Sequence, residues 1–455
     1  MNHTPTTTPE VWSSVLPNSS SQPSSNHAQL YAIESPAMLR TTVKLPASKS
    51  ISNRALIICA LTGDRQLPDN LSDCDDTEVI IRALADMPEV IDIKAAGTAM
   101  RFLTALLAAS RLSPLTSHSS PLTSHLLTGT ERMKHRPIKI LVDALRHFGA
   151  DISYAGEEGF PPLLIKGRQL DGGGIEVAGS TSSQYISALL LVGPALKHGL
   201  TLRLTGDIIS RPYIDLTLWI MREFGADAEW TAVDTIKVAP KPYTPRPYLI
   251  ENDWSAASYW YEMVALSKDD DAEVRLEGLM DGSKQGDSIV RYIFSLLGVK
   301  TTFESTVPGV PTTVTVRKGK QRVSRLDYDF TNAPDLAQTI VCTCCALGVP
   351  FHFTGLQTLK IKETDRIEAL KAELRKLGFA ITDTDGRKLS WDGSRLAPSG
   401  LPTPIDTYED HRMALAFAPM SMLMPVSIRN PQVVSKSYPH FWSDLQQAGF
   451  ILSAT

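Results

Sequence analysis

The sequence lacks the features that mark membrane proteins and nucleic-acid-binding proteins. Its 455 residues carry a net charge of −4, so no basic excess indicates a nucleic-acid partner. No apolar run approaches the ~20 residues that cross a bilayer, so we expect no membrane partner. Hydrophobic residues make up 43% of the chain, which is enough for two or more packed cores.

Cysteine is also scarce, with five residues in the whole chain. So few cysteines over this length do not predict a disulfide framework. Cys342, Cys344 and Cys345 stand close together in TIVCTCCALG, but no second Cys or His pair follows at ligand spacing. A buried apolar helix explains them better than a metal site, and we expect no metal.

The first 27 residues have no Lys or Arg and are rich in Ser, Thr, Pro and Asn. A secretory signal needs a basic start and an apolar core, and a transit peptide is typically rich in Arg. We therefore predict a disordered tail over 1–27 and a cytoplasmic location. The hexamer SPLTSH occurs at 113–118 and again at 120–125. We interpret it as a duplication in a surface loop and assign it no function.

One local pattern recurs at intervals of about 75 residues. An amphipathic helix ends at a glycine, and a β-type run follows. These glycines are Gly149, Gly225, Gly298, Gly378 and Gly449. An earlier helix, DDTEVIIRALAD, lacks the glycine and raises the total to about six α/β units. The proline-rich stretch APKPYTPRPYLIEND predicts a linker with three units on each side.

Several helices begin with small polar residues, and helix N-termini bind anions through free N–H groups. The starts are SKSISNR, GTAMRF, STSSQY and DWSAAS. A single serine at a helix N-terminus only caps the helix. Four helices that begin with small polar residues indicate a binding site for phosphorylated or carboxylated ligands. No Walker-type sequence exists. Further Lys and Arg residues occur in ERMKHRP, DHRMAL and KSYPHFW. Each of these cations alone fits an ordinary surface charge. Cations from several segments could instead converge on a phosphate group.

Two carboxylates are candidates for proton transfer. Asp335 follows a proline at the start of an apolar helix, and Glu363 lies in KETDR before an amphipathic helix. Each one alone fits a capping group or a solvated charge. A carboxylate held near substrate hydroxyls and cations can instead act as a general base or acid.

Taken together, these segments resemble the EPSP synthase (3-phosphoshikimate 1-carboxyvinyltransferase) family from about Leu39 to the chain end. The segments that carry the resemblance are LPASKSISNRALI, AGTAMRF, ERMKHRP, STSSQYISALL, SRPYIDLTL, IKETDRI, DHRMALAF and KSYPHFW. The resemblance implies an α/β fold of two domains that close over substrate, each with three βαβαββ repeats (an inside-out α/β barrel). The chain would cross twice, giving one domain over 46–244 and a second over 28–45 plus 245–455.

The family transfers the enolpyruvyl group of phosphoenolpyruvate to the 5-hydroxyl of shikimate 3-phosphate. The reaction passes through a tetrahedral intermediate, releases phosphate and belongs to aromatic amino acid (chorismate) biosynthesis. The resemblance implies no metal or organic cofactor and inhibition by glyphosate, which competes with phosphoenolpyruvate. We expect a monomer.

Site residues follow from the same motifs. Asp335 would accept the 5-hydroxyl proton, and Glu363 with Lys49 would handle protonation of the phosphoenolpyruvate methylene carbon. The residues implied for shikimate 3-phosphate are Lys49, Ser50, Arg54, Ser182, Ser183, Gln184, Ser210, Tyr213, Asp335 and Lys362. Those implied for phosphoenolpyruvate are Lys49, Gly97, Arg132, Gln184, Arg366, Arg412 and Lys436.

The chain departs from the common family pattern at Ala95, Phe102, His135 and Thr358, and its stretch 72–96 is short, so we expect an abbreviated first repeat. One alternative is a UDP-N-acetylglucosamine enolpyruvyl transferase. That family uses a reactive loop Cys, which 110–132 lacks, and TSSQY with KETDR favours the shikimate enzyme. Another alternative is a catalytically inactive binding module, which loss of Lys49, Asp335 or Glu363 would have indicated.

Overall fold

A computed structural model describes residues 29–63, 66–109, 124–307, 309–396 and 403–454. The tail predicted over 1–27 and most of the duplicated SPLTSH segment lie outside these ranges. Within them, no helix is both long enough and apolar enough to cross a bilayer.

Helices in this part of the chain have the following bounds. They are α1 (Lys49–Thr62), α2 (Asp75–Asp86), α3 (Gly97–Ala109), α4 (Glu131–Lys134), α5 (Lys139–His147), α6 (Ser183–Val192), α7 (Arg211–Glu223), α8 (Trp254–Leu266), α9 (Val290–Leu296), α10 (Ala337–Leu347), α11 (Arg366–Lys376), α12 (His411–Phe417) and α13 (Phe441–Gln447). Short 3₁₀ helices also occur, at Gly193–Ala195, Gly286–Ile289, Pro334–Leu336, Gln357–Ile361, Ala418–Met422 and Pro431–Lys436.

The strands are short and alternate with the helices. They are β1 (Leu30–Glu34), β2 (Arg40–Lys44), β3 (Val90–Asp92), β4 (His125–Thr128), β5 (Asp151–Tyr154), β6 (Leu163–Lys166), β7 (Gly173–Ala178), β8 (Leu200–Thr205), β9 (Ala228–Ala232), β10 (Thr235–Val238), β11 (Glu273–Leu279), β12 (Val299–Phe303), β13 (Thr312–Lys318), β14 (Leu326–Asp329), β15 (Phe351–Thr354), β16 (Thr382–Thr384), β17 (Lys388–Trp391), β18 (Val426–Arg429) and β19 (Ile451–Ala454).

The chain forms two compact units. Among the described residues, unit 1 contains those of 49–250. Unit 2 contains those of 29–48 together with those of 251–454. The chain therefore passes from one unit to the other at 48/49 and at 250/251. The sequence predicts one functional domain over 46–244 and a second over 28–45 plus 245–455. This division into functional domains remains a prediction.

Four sheets share one topology. Their strand orders are β3-β4-β6-β5, β7-β8-β10-β9, β2-β11-β13-β12 and β14-β15-β17-β16. In each sheet the first pair is parallel and the other two pairs are antiparallel. A parallel pair needs a crossover, and α3, α6, α8 and α10 supply it in turn. Since another helix precedes each closing hairpin, the unit is βαβαββ, as predicted.

A fifth sheet is completed by the start of the described chain. Its order is β18-β1-β19, with both pairs antiparallel. Ile405 forms a parallel bridge to Ile428 of β18, where the other repeats have a full first strand. In this sheet β1 therefore occupies the position that the last strand of the repeat takes elsewhere. The first repeat of unit 1 is shortened: α1 and α2 are present, and Asp69 and Leu249 form one parallel bridge.

The central helices are buried on nearly every face. In α8, twelve of the thirteen residues are buried, and α3 and α10 are similar. A helix that is apolar all round must lie inside the fold, so only its ends reach solvent or ligand. Cys342, Cys344 and Cys345 lie fully buried on α10, which confirms the interpretation as an apolar helix, and burial raises the pKa of each thiol.

The five glycines predicted to end helices do so. Their φ angles are 92°, 79°, 93°, 85° and 93° in chain order, in the left-handed region that favours glycine. At Gly298 the backbone also approaches closely, because an added Cβ would lie 2.9 Å from the amide nitrogen of Gln321. Gly348, which ends α10 with a φ of 72°, has nothing within 4 Å of an added Cβ.

We expect Gly298→Ala to destabilise unit 2 more than Gly348→Ala does. Both substitutions place an alanine at positive φ, which costs about 1–2 kcal/mol. Gly298→Ala must also displace a backbone segment, which adds about 1–3 kcal/mol. Urea unfolding followed by tryptophan fluorescence would measure the difference. Equal losses in the two variants would mean that the contact with Gln321 relaxes freely.

Candidate active site

Lys49 is the first residue of the buried helix α1. Its Nζ lies 3.4 Å from an oxygen of Asp76, and both side chains are largely buried, with 18% and 11% exposed. Asp76 belongs to the first turn of α2, where a carboxylate complements the helix dipole. The pair places a cation at the start of one buried helix and its counter-charge at the start of the next.

Arg54 lies one turn into α1 and is bound from several sides. Its guanidinium donates to the hydroxyls of Thr217 (2.7 Å) and Ser187 (3.1 Å) and to the carbonyls of Ser50 (2.8 Å) and Tyr213 (3.4 Å). These groups belong to α1, α6 and α7, so Arg54 joins three helices. Burial lowers the pKa of Arg54 to about 10.

Phe102 lies beneath the same guanidinium. The Arg54 Cζ is 5.4 Å from the centre of the Phe102 ring, within the range of a cation–π contact. The residue that departs from the common family pattern therefore packs against a candidate substrate ligand. Ring and cation together fix the position of the α1 start relative to α3.

Gly97 begins α3 beneath two arginines. A Cβ at this position would lie 2.6 Å from Nη1 of Arg136 and 3.0 Å from Nη1 of Arg101. Arg101 also donates to the Gly97 carbonyl at 2.9 Å and lies over the ring of Tyr185. The absence of a side chain thus lets two guanidiniums approach the first turn of a helix, where N–H groups favour anions.

The start of α6 lies next to the start of α3. Gln184 donates from its side-chain Nε2 to the Thr98 hydroxyl at 3.2 Å. Ser182 caps the helix, since its hydroxyl accepts from the backbone N–H of Gln184 at 3.4 Å. Ser183 is the first residue of the helix. The predicted residues of these two motifs are therefore neighbours in unit 1.

Two other predicted segments of unit 1 lie at helix starts. Ser210 occupies the N-cap position of α7 with a φ of 54°, a left-handed angle that is uncommon for serine, and Tyr213 follows in the first turn. The carbonyl of Tyr213 accepts from Arg54, which joins this helix start to α1. Arg132 lies exposed on the short helix α4.

In unit 2 the centre of the site is Arg366, the first residue of α11, with only 2% of its side chain exposed. It donates to both oxygens of Asp410 at 2.7 and 3.2 Å, to Glu363 at 2.8 Å and to Asp335 at 3.1 Å. Burial alone would lower the pKa of Arg366, but these three carboxylates outweigh it and raise the pKa.

Asp335 lies on the 3₁₀ helix before α10 and is flanked by three cations. Lys362 is 3.3 Å away and Arg366 is 3.1 Å away, both at Oδ1, while Arg412 approaches Oδ2 at 3.2 Å. Arg412 also donates to the Asp335 carbonyl at 3.0 Å. The carboxylate thus lies among three cations that come from two separate segments of the chain, IKETDRI and DHRMAL.

The turn before α12 has a strained backbone. Tyr408 and Glu409 have φ angles of 52° and 56°, two successive left-handed residues that are not glycine. The Tyr408 hydroxyl donates to the buried Glu373 of α11 at 2.6 Å. The Glu409 carbonyl accepts from Lys436 at 2.7 Å. The turn therefore positions Lys436 beside the residue that precedes Asp410.

Unit 2 brings together the five predicted residues Asp335, Lys362, Glu363, Arg366 and Arg412, and it places Lys436 on the turn next to them. Sequence reasoning missed Asp410, Asp76 and Arg101 as members of these clusters, whereas Arg136 lies in ERMKHRP, one of the cationic segments predicted to converge on phosphate. Asp410 caps α12 by accepting from the Arg412 amide at 3.0 Å, so its position at a helix start was a usable signal. Its second role, binding Arg366, depends on a tertiary contact that local sequence does not show.

Comparison with known proteins identifies the family. The family model described as EPSP synthase (3-phosphoshikimate 1-carboxyvinyltransferase) matches residues 33–90 and 83–445. A 3-phosphoshikimate 1-carboxyvinyltransferase of Bacteroides fragilis is 56% identical over 421 residues, covering 92% of this chain and 98% of the relative. A relative with the same name from Actinobacillus succinogenes is 33% identical over 444 residues, covering 90% and 97%.

Solved structures share the fold. An EPSP synthase from Acinetobacter baumannii aligns with a TM-score of 0.71 at 21% identity, covering 94% of this chain and all of that one. The enolpyruvyl transferase NikO from Streptomyces tendae aligns with a TM-score of 0.63 at 15% identity, covering 94% and 99%. The predicted fold of βαβαββ repeats is confirmed, and the chain belongs to the EPSP synthase (3-phosphoshikimate 1-carboxyvinyltransferase) family.

Proposed function

We propose that the protein transfers the enolpyruvyl group of phosphoenolpyruvate to the 5-hydroxyl of shikimate 3-phosphate. The products are 5-enolpyruvylshikimate 3-phosphate and inorganic phosphate. Family membership supports the reaction, and one observation in the molecule carries it: Asp335 and Glu363 both bind the buried Arg366, with Lys362 and Arg412 against Asp335. The residues proposed as proton carriers therefore lie in one cluster with cations proposed as anion ligands.

Asp335 is the proposed base for the 5-hydroxyl. Three cations within 3.3 Å stabilise negative charge on its carboxylate, which keeps it ready to accept a proton. The hydroxyl oxygen then attacks the second carbon of phosphoenolpyruvate, while the methylene carbon gains a proton. Loss of a proton from that carbon and departure of phosphate restore the double bond, so atoms and charge balance without a redox step.

Glu363 and Lys49 are the proposed groups for proton transfer at the methylene carbon. Glu363 accepts from Arg366 at 2.8 Å, which orients its carboxylate, and Lys49 is held by Asp76. A positioned acid or base contributes about 10²–10⁴-fold to such a step.

The remaining predicted residues are proposed as ligands. Phosphates and carboxylates on both substrates need cations and helix N-termini, and these residues occupy such positions. For shikimate 3-phosphate they are Lys49, Ser50, Arg54, Ser182, Ser183, Gln184, Ser210, Tyr213, Asp335 and Lys362. For phosphoenolpyruvate they are Lys49, Gly97, Arg132, Gln184, Arg366, Arg412 and Lys436. The proposal includes a monomer in the cytoplasm that needs no metal or organic cofactor.

The direct test is release of inorganic phosphate from the purified chain. We expect release only when phosphoenolpyruvate and shikimate 3-phosphate are both supplied, because the phosphate leaves from a tetrahedral adduct of the two. Release with UDP-N-acetylglucosamine as the acceptor would favour the related enolpyruvyl transferase. Binding of both substrates without release would identify an inactive module.

Asp335→Asn should lower kcat by about 10²–10⁴-fold and change substrate affinity much less, because a general base acts in the transition state. Steady-state phosphate release with both substrates varied separates the two parameters. Asp327→Asn is a matched control, since Asp327 is exposed on β14 and pairs with Arg325. An Asp335→Asn enzyme with unchanged kcat would exclude Asp335 as the base.

A further inference from the structure

A buried aspartate that has no role in the proposed reaction lies next to this cluster. Asp287 belongs to the 3₁₀ helix Gly286–Ile289 and is 3% exposed. Its Oδ2 accepts a hydrogen bond from the Ser255 hydroxyl. Its Oδ1 is buried and has no hydrogen-bond partner among the described residues. A buried carboxylate with one unpartnered oxygen is costly, so its presence calls for a reason.

Ser255 connects Asp287 to Arg412. Nη2 of Arg412 lies 3.5 Å from the Ser255 Oγ and 3.2 Å from Oδ2 of Asp335. The other terminal nitrogen lies 3.4 Å from the Tyr259 hydroxyl. Arg412 is therefore flanked by two carboxylates, with Asp335 in direct contact and Asp287 one hydroxyl away.

The serine hydroxyl transmits the state of Asp287. A hydroxyl has one proton to donate and lone pairs that accept. While Asp287 is ionised, Ser255 donates its proton to Oδ2 and its lone pairs remain directed to Arg412. A neutral group that donates to Ser255 instead would turn the hydroxyl proton toward the guanidinium and weaken that contact.

The pKa of Asp287 depends on its burial and on the charged groups around it. Burial and, to a smaller extent, the carboxylates of Asp335 and Asp253 raise the pKa of Asp287 to about 6, against the opposing effects of Arg412 and Ser255. Of the neighbouring groups, Arg291 on α9 pairs with Asp281 at 2.8 Å. Glu251 binds the side chain of Gln285, two residues before Asp287.

We propose that Asp287 is a positioning residue that acts through Ser255 to hold Arg412 where it binds phosphoenolpyruvate. The inference rests on the proposed function and adds a group to it. If Asp335 takes up a proton during turnover, Arg412 loses the charge of its direct partner. The neutralised Asp335 then no longer raises the pKa of Asp287, which stays ionised and keeps Arg412 in place.

The test compares Asp287→Asn with wild type at pH 8 and pH 5.5. At pH 8 wild-type Asp287 is ionised, and we expect the variant to raise the KM for phosphoenolpyruvate about tenfold, the size of one lost charge-assisted contact. The value of kcat should fall less. At pH 5.5, below the pKa of about 6, roughly three quarters of wild-type Asp287 is protonated, so the ratio of the variant KM to the wild-type KM should fall to about threefold. The ratio is the readout because the substrate phosphate itself titrates near pH 6.

Two further variants separate positioning from a general effect on folding. Ser255→Ala removes the connecting hydroxyl and should raise the KM at pH 8 and much less at pH 5.5, where protonation of Asp287 already weakens the contact with Arg412. Glu262→Gln is the matched control, because Glu262 is fully buried on the same helix as Ser255. Burial raises the pKa of Glu262 well above its usual range, which favours the neutral acid that Gln imitates, so the KM should not change. Circular dichroism of each variant checks the fold.

Calorimetric titration with phosphoenolpyruvate alone distinguishes this proposal from the proposed function. A wild-type chain that releases no phosphate overturns the reaction, while the ratio of Kd values for Asp287→Asn still tests the role of Asp287. A pH-independent loss of affinity, an unchanged affinity or tighter binding in Asp287→Asn would each overturn the proposal. Tighter binding would mean that repulsion between Asp287 and the anion outweighs positioning.

Discussion

The rest of the site in unit 2 depends on one buried guanidinium. Arg366 is almost fully enclosed and binds Asp410 through two hydrogen bonds, with Glu363 and Asp335 on its remaining donors. Removing one partner from a buried ion pair typically costs about 3–5 kcal/mol, because the other charge stays buried. The arginine thus fixes both proposed proton carriers relative to each other. Asp410 accepts two hydrogen bonds from Arg366, whereas Asp335 and Glu363 accept one each.

Unit 1 uses its cations differently. Arg54 donates hydrogen bonds to two hydroxyls and two carbonyls of three helices, and none of these four bonds goes to a carboxylate. Burial lowers its pKa to about 10, yet it remains a cation near neutral pH, so the unit holds a buried positive charge. Such a charge is costly unless an anion can approach it. A phosphorylated ligand would supply that anion, whereas in unit 2 the protein itself supplies most of the countercharge.

Much of the fold could be read from the sequence because it depends on local signals. The helix-ending glycines mark the repeats, and their positive φ angles confirm them. The short stretch 72–96 also predicted the abbreviated first repeat, whereas the strand that β1 contributes to the last sheet depends on pairing between distant segments. Asp69 with Leu249 and Ile405 with Ile428 are single bridges, and no local pattern predicts them. Local periodicity therefore predicts the repeat, and tertiary pairing decides how completely each copy forms.

The sequence predicted which residues belong to the site more completely than it predicted which of their side chains form pairs. Asp335, Glu363 and Arg366 were predicted by motif, whereas Asp410 and Asp287 were not, because each acts on a cation that lies elsewhere in the chain. A capping aspartate and a buried aspartate look ordinary in sequence. Their importance follows from electrostatics: in unit 2 the carboxylates offset the repulsion among Lys362, Arg366 and Arg412 in the absence of an anionic substrate. The acids that hold these cations together are therefore candidates for proton transfer and for control of it by pH.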